Sequence, residues 1–226
     1  MIRSLIFDMD GTLADTLQAT APALSEVSPR YGLPPLAMET VREAIGFANP
    51  EFYYRLYPES DHARLRALGG EVERLEETYI RRLGEAMLFP GVRQMLDRLI
   101  ALGVALHVAS TGDPAHVDVV LRSAGILPLF RSVHCGESAK ERMVGEILGA
   151  SDRSEWAMVG DRKKDVDAAR ANGIPVIGAG FGYVERTEQA LFDRVADSPA
   201  DIVRWVESQN RTADSISENL SGSLSL

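Results

Sequence analysis

Leu5-Ile6-Phe7 is an apolar run that ends at once in Asp8-Met9-Asp10-Gly11-Thr12-Leu13, two carboxylates one residue apart followed by a glycine. An unbroken apolar run closed by a turn signal reads as a strand buried on both faces. Residues 2–7 cannot cover either face by themselves. The strand therefore has to lie inside a parallel sheet with helices on both sides, and its carboxyl end delivers acidic groups to the crevice where such sheets take ligands. An Asp-Gly turn closing a strand is common. A buried strand running into Asp-x-Asp-Gly-Thr is much more specific.

The remaining chain supplies the partners that strand needs. From Pro90 onward short apolar strands at 104–109, 131–135, 156–159 and 175–177 alternate with helical patterns near 91–102, 115–124, 138–149 and 165–172. That alternation predicts an α/β fold with a Rossmann-like parallel sheet. Residues 17–86 break the pattern: they are helical throughout, with a long charged amphipathic run at 63–83 and no convincing strand. The expected organisation is a core from 1–16 and 87–207, an inserted helical domain at 17–86, and a disordered tail at 208–226. The tail is rich in Ser, Asn, Asp and Glu, and its isolated Ile216, Leu220, Leu224 and Leu226 make no wide apolar face.

Charge and cysteine content narrow the function classes. A net charge of -9, from 24 basic and 33 acidic residues, argues against nucleic acid or an anionic membrane as the main partner, so an anionic ligand needs locally placed cations. The lone Cys135 excludes an intramolecular disulfide. With no apolar stretch of membrane-spanning length and no signal-like start, the expectation is a cytoplasmic protein, monomer or homodimer.

Three further clusters fall where the alternation puts strand ends or helix starts. Ser110-Thr111-Gly112-Asp113-Pro114 follows the strand at 104–109, so small hydroxyls and free amides emerge at the same sheet edge as Asp8; alone, the run is also an ordinary helix cap. Lys140 opens the next helix, an electrostatic misfit with a helix dipole that favours acids there, which suggests a task. Gly160-Asp161-Arg162-Lys163-Lys164-Asp165 follows the strand at 156–159 and places two carboxylates four residues apart, which could also serve as helix capping.

In this order the four clusters resemble the signature of the haloacid dehalogenase superfamily, over residues 1 to about 207. The tract at 158–182 looks most like its helical-cap phosphoglycolate phosphatase and nucleotidase-like branch. The resemblance implies that Asp8 is a carboxylate nucleophile forming an aspartyl-phosphate and that Asp10 is the general acid and base, with the Thr12 hydroxyl and amide fixing the Asp10 side chain. It implies that Ser110, Thr111 and Lys140 bind the phosphoryl group, with Arg142 the competitor for the part of Lys140. Mg2+ would be held by Asp8, the Asp10 carbonyl and Asp161, with Asp165 acting directly or through water. The implied partner is a small phosphorylated substrate. Asp10 disfavours true dehalogenases and phosphonate-cleaving relatives. A β-phosphoglucomutase-like phosphotransferase or a nucleotidase or pyrophosphatase are the alternatives, with a non-catalytic binding module last. Within the implied cap, Phe47 and Asn49 lie in a segment that could descend over the site and choose the substrate, with hinges near Asp15-Thr16 and 87–90.

Other conspicuous residues carry plainer expectations. His62, His107, His116 and His134 fall in different elements, so no zinc site is expected. Cys135 reads as a small buried hydrophobe, Trp156 and Trp205 as core or interface aromatics, and 178–182 as a loop beside the site. Arg162, Lys163 and Lys164 read mostly as a solvated turn, with one restraining the carboxylates.

Overall fold

A computed structural model describes the backbone of residues 1–222 and the side chains through Thr212. In chain order its elements are β1 (Ser4–Phe7), α1 (Leu17–Val27), α2 (Met38–Ala44), α3 (Glu51–Leu56), α4 (His62–Leu83), α5 (Val92–Ala101), β2 (Ala105–Ser110), α6 (Pro114–Ser123), β3 (Ser132–Cys135), α7 (Lys140–Leu148), β4 (Trp156–Gly160), α8 (Lys163–Ala171), β5 (Val176–Ala179), β6 (Arg194–Ala196) and α9 (Pro199–Gly222).

The strands form one parallel sheet in the order β3-β2-β1-β4-β5-β6. β1 is central, pairing Leu5 with Leu106 on one side and with Ala157 on the other. Its side chains alternate between faces as a strand requires. Leu5 and Phe7 pack with Met95, Leu96, Val120 and Ile202 of α5, α6 and α9, whereas Ile6 packs with Met143, Val144 and Val166 of α7 and α8. Both faces are thus covered, as the uninterrupted apolar run demanded. The chain order reverses about β1, so the carboxyl ends of β1, β2 and β4 open onto one crevice.

The helices of residues 17–83 pack into an apolar cluster of their own, built around Leu24, Val27, Val41, Leu65, Leu68 and Val72. α4 is capped by Asp61, whose carboxylate accepts from Arg64 N at 3.0 Å, and buries a stripe of Leu65, Leu68, Val72, Glu76 and Ile80. Glu76 is the one carboxylate in that stripe. Where this region joins the sheet, the two connecting segments run side by side: Asp15 N donates to Met87 O and Phe89 N to Leu13 O.

Three expectations need correction. β6 has only three residues and too little alternation to register as a strand. Residues 208–222 are not an unstructured tail but the continuation of α9; the Asn210 side chain accepts from Ile2 N at 2.6 Å and donates to Ile2 O at 3.3 Å, tying the helix to the base of β1. Residues 223–226 lie outside the described residues. Cys135 ends β3 at the sheet edge and is half-buried, because an edge strand is covered less completely than a central one. Among the described residues no helix is long and apolar enough to cross a membrane.

Candidate active site

Asp8 continues β1 by one residue, its N–H donating to Val159 O at 2.9 Å, so the carboxylate is held on the sheet lattice itself. Gly11 follows in the left-handed region, with φ +77°, and turns the chain back so that Leu13 and Ala14 N–H groups reach Met9 O. A Cβ at Gly11 would also come within 2.5 Å of Asp161 Oδ2. Thus the turn that positions Asp8 and Asp10 has room only for glycine.

Lys140 lies at the centre of the charge. Its Nζ is 2.8 Å from Asp8 Oδ2 and 2.7 Å from Asp165 Oδ1, with 3% of its side chain exposed. The helix-dipole misfit in the sequence has this resolution: the lysine leaves the first turn of α7 and enters a carboxylate cluster. Asp165 is equally committed. Its Oδ2 accepts from the backbone N–H groups of Asp161 and Arg162 at 3.0 and 2.9 Å, closing the first turn of α8. A Cβ at Gly160 would lie 2.2 Å from the Asp165 Cγ, so the glycine before Asp161 makes room for this carboxylate.

Asp8, Asp161 and Asp165 are all buried, and each offers an oxygen within 4.8 Å of the others. Burial pushes Asp8 up to about 7 against the pull of Lys140, with Asp165 adding repulsion. Burial, with Asp8 and Asp165 alongside, raises Asp161 well above the carboxylate range. For Lys140 burial works the other way, but Asp165 and Asp8 outweigh it and hold the ammonium charged. Asp161 Oδ1 accepts from the Thr12 hydroxyl at 2.7 Å. Its Oδ2 is buried with no hydrogen-bond partner, only Arg162 Nε at 3.4 Å. A buried, unbonded carboxylate oxygen amid other carboxylates fits a hard cation with oxygen ligands.

The expected phosphate-binding hydroxyls divide. Ser110 is buried at the carboxyl end of β2, the strand that pairs with β1, and its Oγ accepts from Gly112 N at 3.1 Å. Thr111 instead turns its hydroxyl to Gly46 O at 3.0 Å, because the chain alternates and the next residue faces the helical insert. Thr12 likewise serves Asp161 and not Asp10. Asp10 is held by a residue given no role in the sequence reading: His116 Nε2 is 3.2 Å from its Oδ1. Burial would raise the Asp10 carboxyl, but the His116 charge and hydrogen bond lower it.

Arg162 and Lys164 are also not a solvated turn. Arg162 Nη2 donates to Arg42 O at 2.7 Å and Nη1 to Tyr183 O at 3.3 Å, while Lys164 donates to Gly46 O at 3.3 Å and sits 4.5 Å from the centre of the Phe47 ring. Of the three cations only Lys163 keeps to the surface, paired with Asp167. The glycine loop does lie beside the site. Tyr183 N–H donates to Gly11 O at 3.1 Å, and a Cβ at Gly182 would meet that same carbonyl at 1.8 Å.

Between core and insert is a cavity of about 350 Å3, lined by Asp10, Thr111 and His116 on one side and by Phe47, Asn49 and Glu76 on the other. Phe47 and Asn49 thus line the same cavity as Asp10. Asn49 is oriented by Glu73, to which its amide donates at 2.8 Å.

Comparison with known proteins agrees with this geometry. A phosphoglycolate phosphatase of Chromobacterium violaceum is 29% identical over 197 residues, covering 81% of this chain and 87% of the relative. The crystal structure of a predicted phosphoglycolate phosphatase from Haemophilus somnus superposes with a TM-score of 0.75 at 24% identity, covering 91% of this chain and 98% of that one. A β-phosphoglucomutase from Clostridium difficile superposes equally well, with a TM-score of 0.75 at 16% identity over 94% of this chain and 99% of its own, so the fold is shared across different reactions. The model of the haloacid dehalogenase-like hydrolases matches residues 5–179, which take in Asp8, Ser110, Lys140 and Asp161 together, and the chain belongs to that family.

Proposed function

We propose that this chain is a Mg2+-dependent phosphomonoester hydrolase that acts on a small phosphorylated metabolite through an aspartyl-phosphate at Asp8. The observation that carries this reading is Lys140, buried between Asp8 and Asp165 with the unbonded Oδ2 of Asp161 in the same cluster. In the first step an Asp8 oxygen forms a bond to phosphorus as the bond to the leaving oxygen breaks, and Asp10 supplies the proton that the leaving oxygen takes. In the second, water attacks the acyl phosphate, Asp10 takes its proton, and inorganic phosphate leaves with Asp8 restored. Lys140 and Ser110 hold the transferring group, and the lysine charge offsets that of the phosphoryl oxygens. Asp8, Asp161 and the Asp10 carbonyl would hold Mg2+, which supplies positive charge beside the phosphoryl oxygens. Asp165, with both oxygens already engaged, fits a role through water or as the support of Lys140 and Asp161.

Residues 1–16 and 87–207 act as the core domain and 17–86 as a cap. The paired segments at 13–15 and 87–89 are its hinge. Phosphoglycolate, the substrate named for the bacterial relatives, heads the panel of phosphorylated metabolites to be assayed with Mg2+. Phosphate should be released steadily without a bisphosphate activator. Phe47→Ala should change the ranking of substrates by about tenfold, while altering turnover of a small generic ester by under ~3-fold. Isomerisation of a sugar phosphate with little free phosphate would favour a mutase instead.

A second expectation concerns pH. With folded-state values for Asp8 and Asp161 raised, the metal-free fold binds more protons than the unfolded chain between about pH 4 and 7, so these groups cost stability as pH rises through that window. A bound divalent cation offsets that cost. The rise in Tm on adding Mg2+ should be larger at pH 8 than at pH 5; an equal rise at both would contradict the carboxylate site.

A further inference from the structure

Buried Glu76 and half-buried His116 form a pair that takes no part in the proposed steps. Glu76 comes from the apolar face of α4, and His116 from the first turn of α6, two elements that pack against each other and both line the cavity. A carboxylate in an apolar stripe is costly unless it is paired. Glu76 Oε1 accepts from the Thr20 hydroxyl, and its Oε2 lies 3.9 Å from His116 Nδ1. The other ring nitrogen, Nε2, is 3.2 Å from Asp10 Oδ1. Of the two contacts only that of Nε2 with Asp10 Oδ1 is within hydrogen-bond reach; Nδ1 faces the Glu76 carboxylate at ion-pair distance. The hydrogen bond to Asp10 sets the direction of the ring, and the Glu76 carboxylate facing Nδ1 favours that orientation over a flipped one.

We propose that His116 is a positioning residue for Asp10: with Oδ1 taken up by the bond to Nε2, Oδ2 is the oxygen that carries the proton and is turned toward the leaving oxygen, and Glu76 ties that alignment to the insert lying against the core. The proposal rests on the reading of Asp10 as acid and base. It gives the insert a part in the chemistry besides choosing substrate, since the far end of the orienting chain, Glu76 with Thr20, belongs to the insert. Without the α4 carboxylate the imidazole loses the charge that faces Nδ1, and its bond to Asp10 Oδ1 is supported from one side only. The arrangement would thereby favour proton transfer only when α4 packs over a bound substrate.

Proton donation matters in proportion to the basicity of the leaving oxygen, so an alkyl phosphate needs an aligned Asp10 and 2,4-dinitrophenyl phosphate does not. The test is kcat/KM for one ester of each kind with Mg2+, in wild type, His116→Ala, His116→Gln and Glu76→Ala. Because both esters are read on the same preparation, the ratio between them is insensitive to the fraction of protein that is folded. His116→Ala should lose about 100-fold on the alkyl ester and under ~3-fold on the dinitrophenyl ester. His116→Gln, which keeps a donor for Oδ1, should regain part of the loss, and Glu76→Ala should show the same selectivity to a smaller extent. Equal losses on the two esters, or none on the alkyl ester, would overturn the proposal while leaving the phosphatase reading intact. Wild-type protein that hydrolyses neither ester would instead overturn that reading, and this proposal with it.

Discussion

Asp8→Asn is expected to abolish turnover, with a loss on the order of 10^4-fold or more, while the protein stays folded. An amide is a poor nucleophile toward phosphorus and gives no stable phosphoryl intermediate, so neither half of the reaction can start. The fold should not suffer. Asn can keep the hydrogen bond that Asp8 Oδ1 accepts from Met9 N at 2.8 Å, and Lys140 keeps Asp165 at 2.7 Å. Removing one carboxylate from a buried cluster of three also relieves the repulsion that raises Asp8 and Asp161. The metal-free variant should melt no lower than wild type at neutral pH. Turnover near the wild-type rate in a folded Asp8→Asn protein would refute the assignment of the nucleophile.

Asp161→Ala should have the next largest effect, raising the Mg2+ concentration needed for half-maximal activity by at least about tenfold or removing activity altogether. Its Oδ2 is the buried oxygen with no hydrogen bond, the position in this cluster most in need of a cation. Losing it leaves Thr12 without an acceptor and Arg162 Nε without its carboxylate neighbour at 3.4 Å. Asp165→Ala differs in kind. It strips the acceptor from two backbone N–H groups at the start of α8 and one of the two partners from Lys140, so its loss of activity should come with a lower Tm. Unchanged metal dependence in Asp161→Ala, or full activity in excess chelator, would argue against the site.

The sheet and the acidic cluster were legible because they are encoded locally. β1 is apolar on both faces, and Asp8, Ser110, Lys140 and Asp161 each sit at a strand end or helix start that the alternation of elements places on one edge. Contacts between core and insert were not, since they join residues far apart in sequence whose types are individually ordinary. His116 has no metal-ligating neighbour in sequence to mark it, and its partners are Asp10 and Glu76, 106 and 40 positions away. A usable signal existed in Glu76, a carboxylate four residues after Val72 and four before Ile80 on the buried face of α4. Arg162 and Lys164 look like a solvated basic turn until the insert is folded over them, when the backbone carbonyls of Arg42 and Gly46 become their acceptors. The helix after residue 207 is hidden for a related reason: composition is silent about Asn210, whose amide pairs with both the N–H and the C=O of Ile2 across 208 residues.

The most direct test of the central claim is the chemical identity of the phosphorylated residue. Wild-type protein exposed briefly to a radiolabelled phosphomonoester in the presence of Mg2+, then quenched in acid and digested, should carry an alkali-labile acyl phosphate on the peptide containing Asp8, and Asp8→Asn protein should carry none. Stable label on a serine, or acid-labile label on a histidine, would contradict the account.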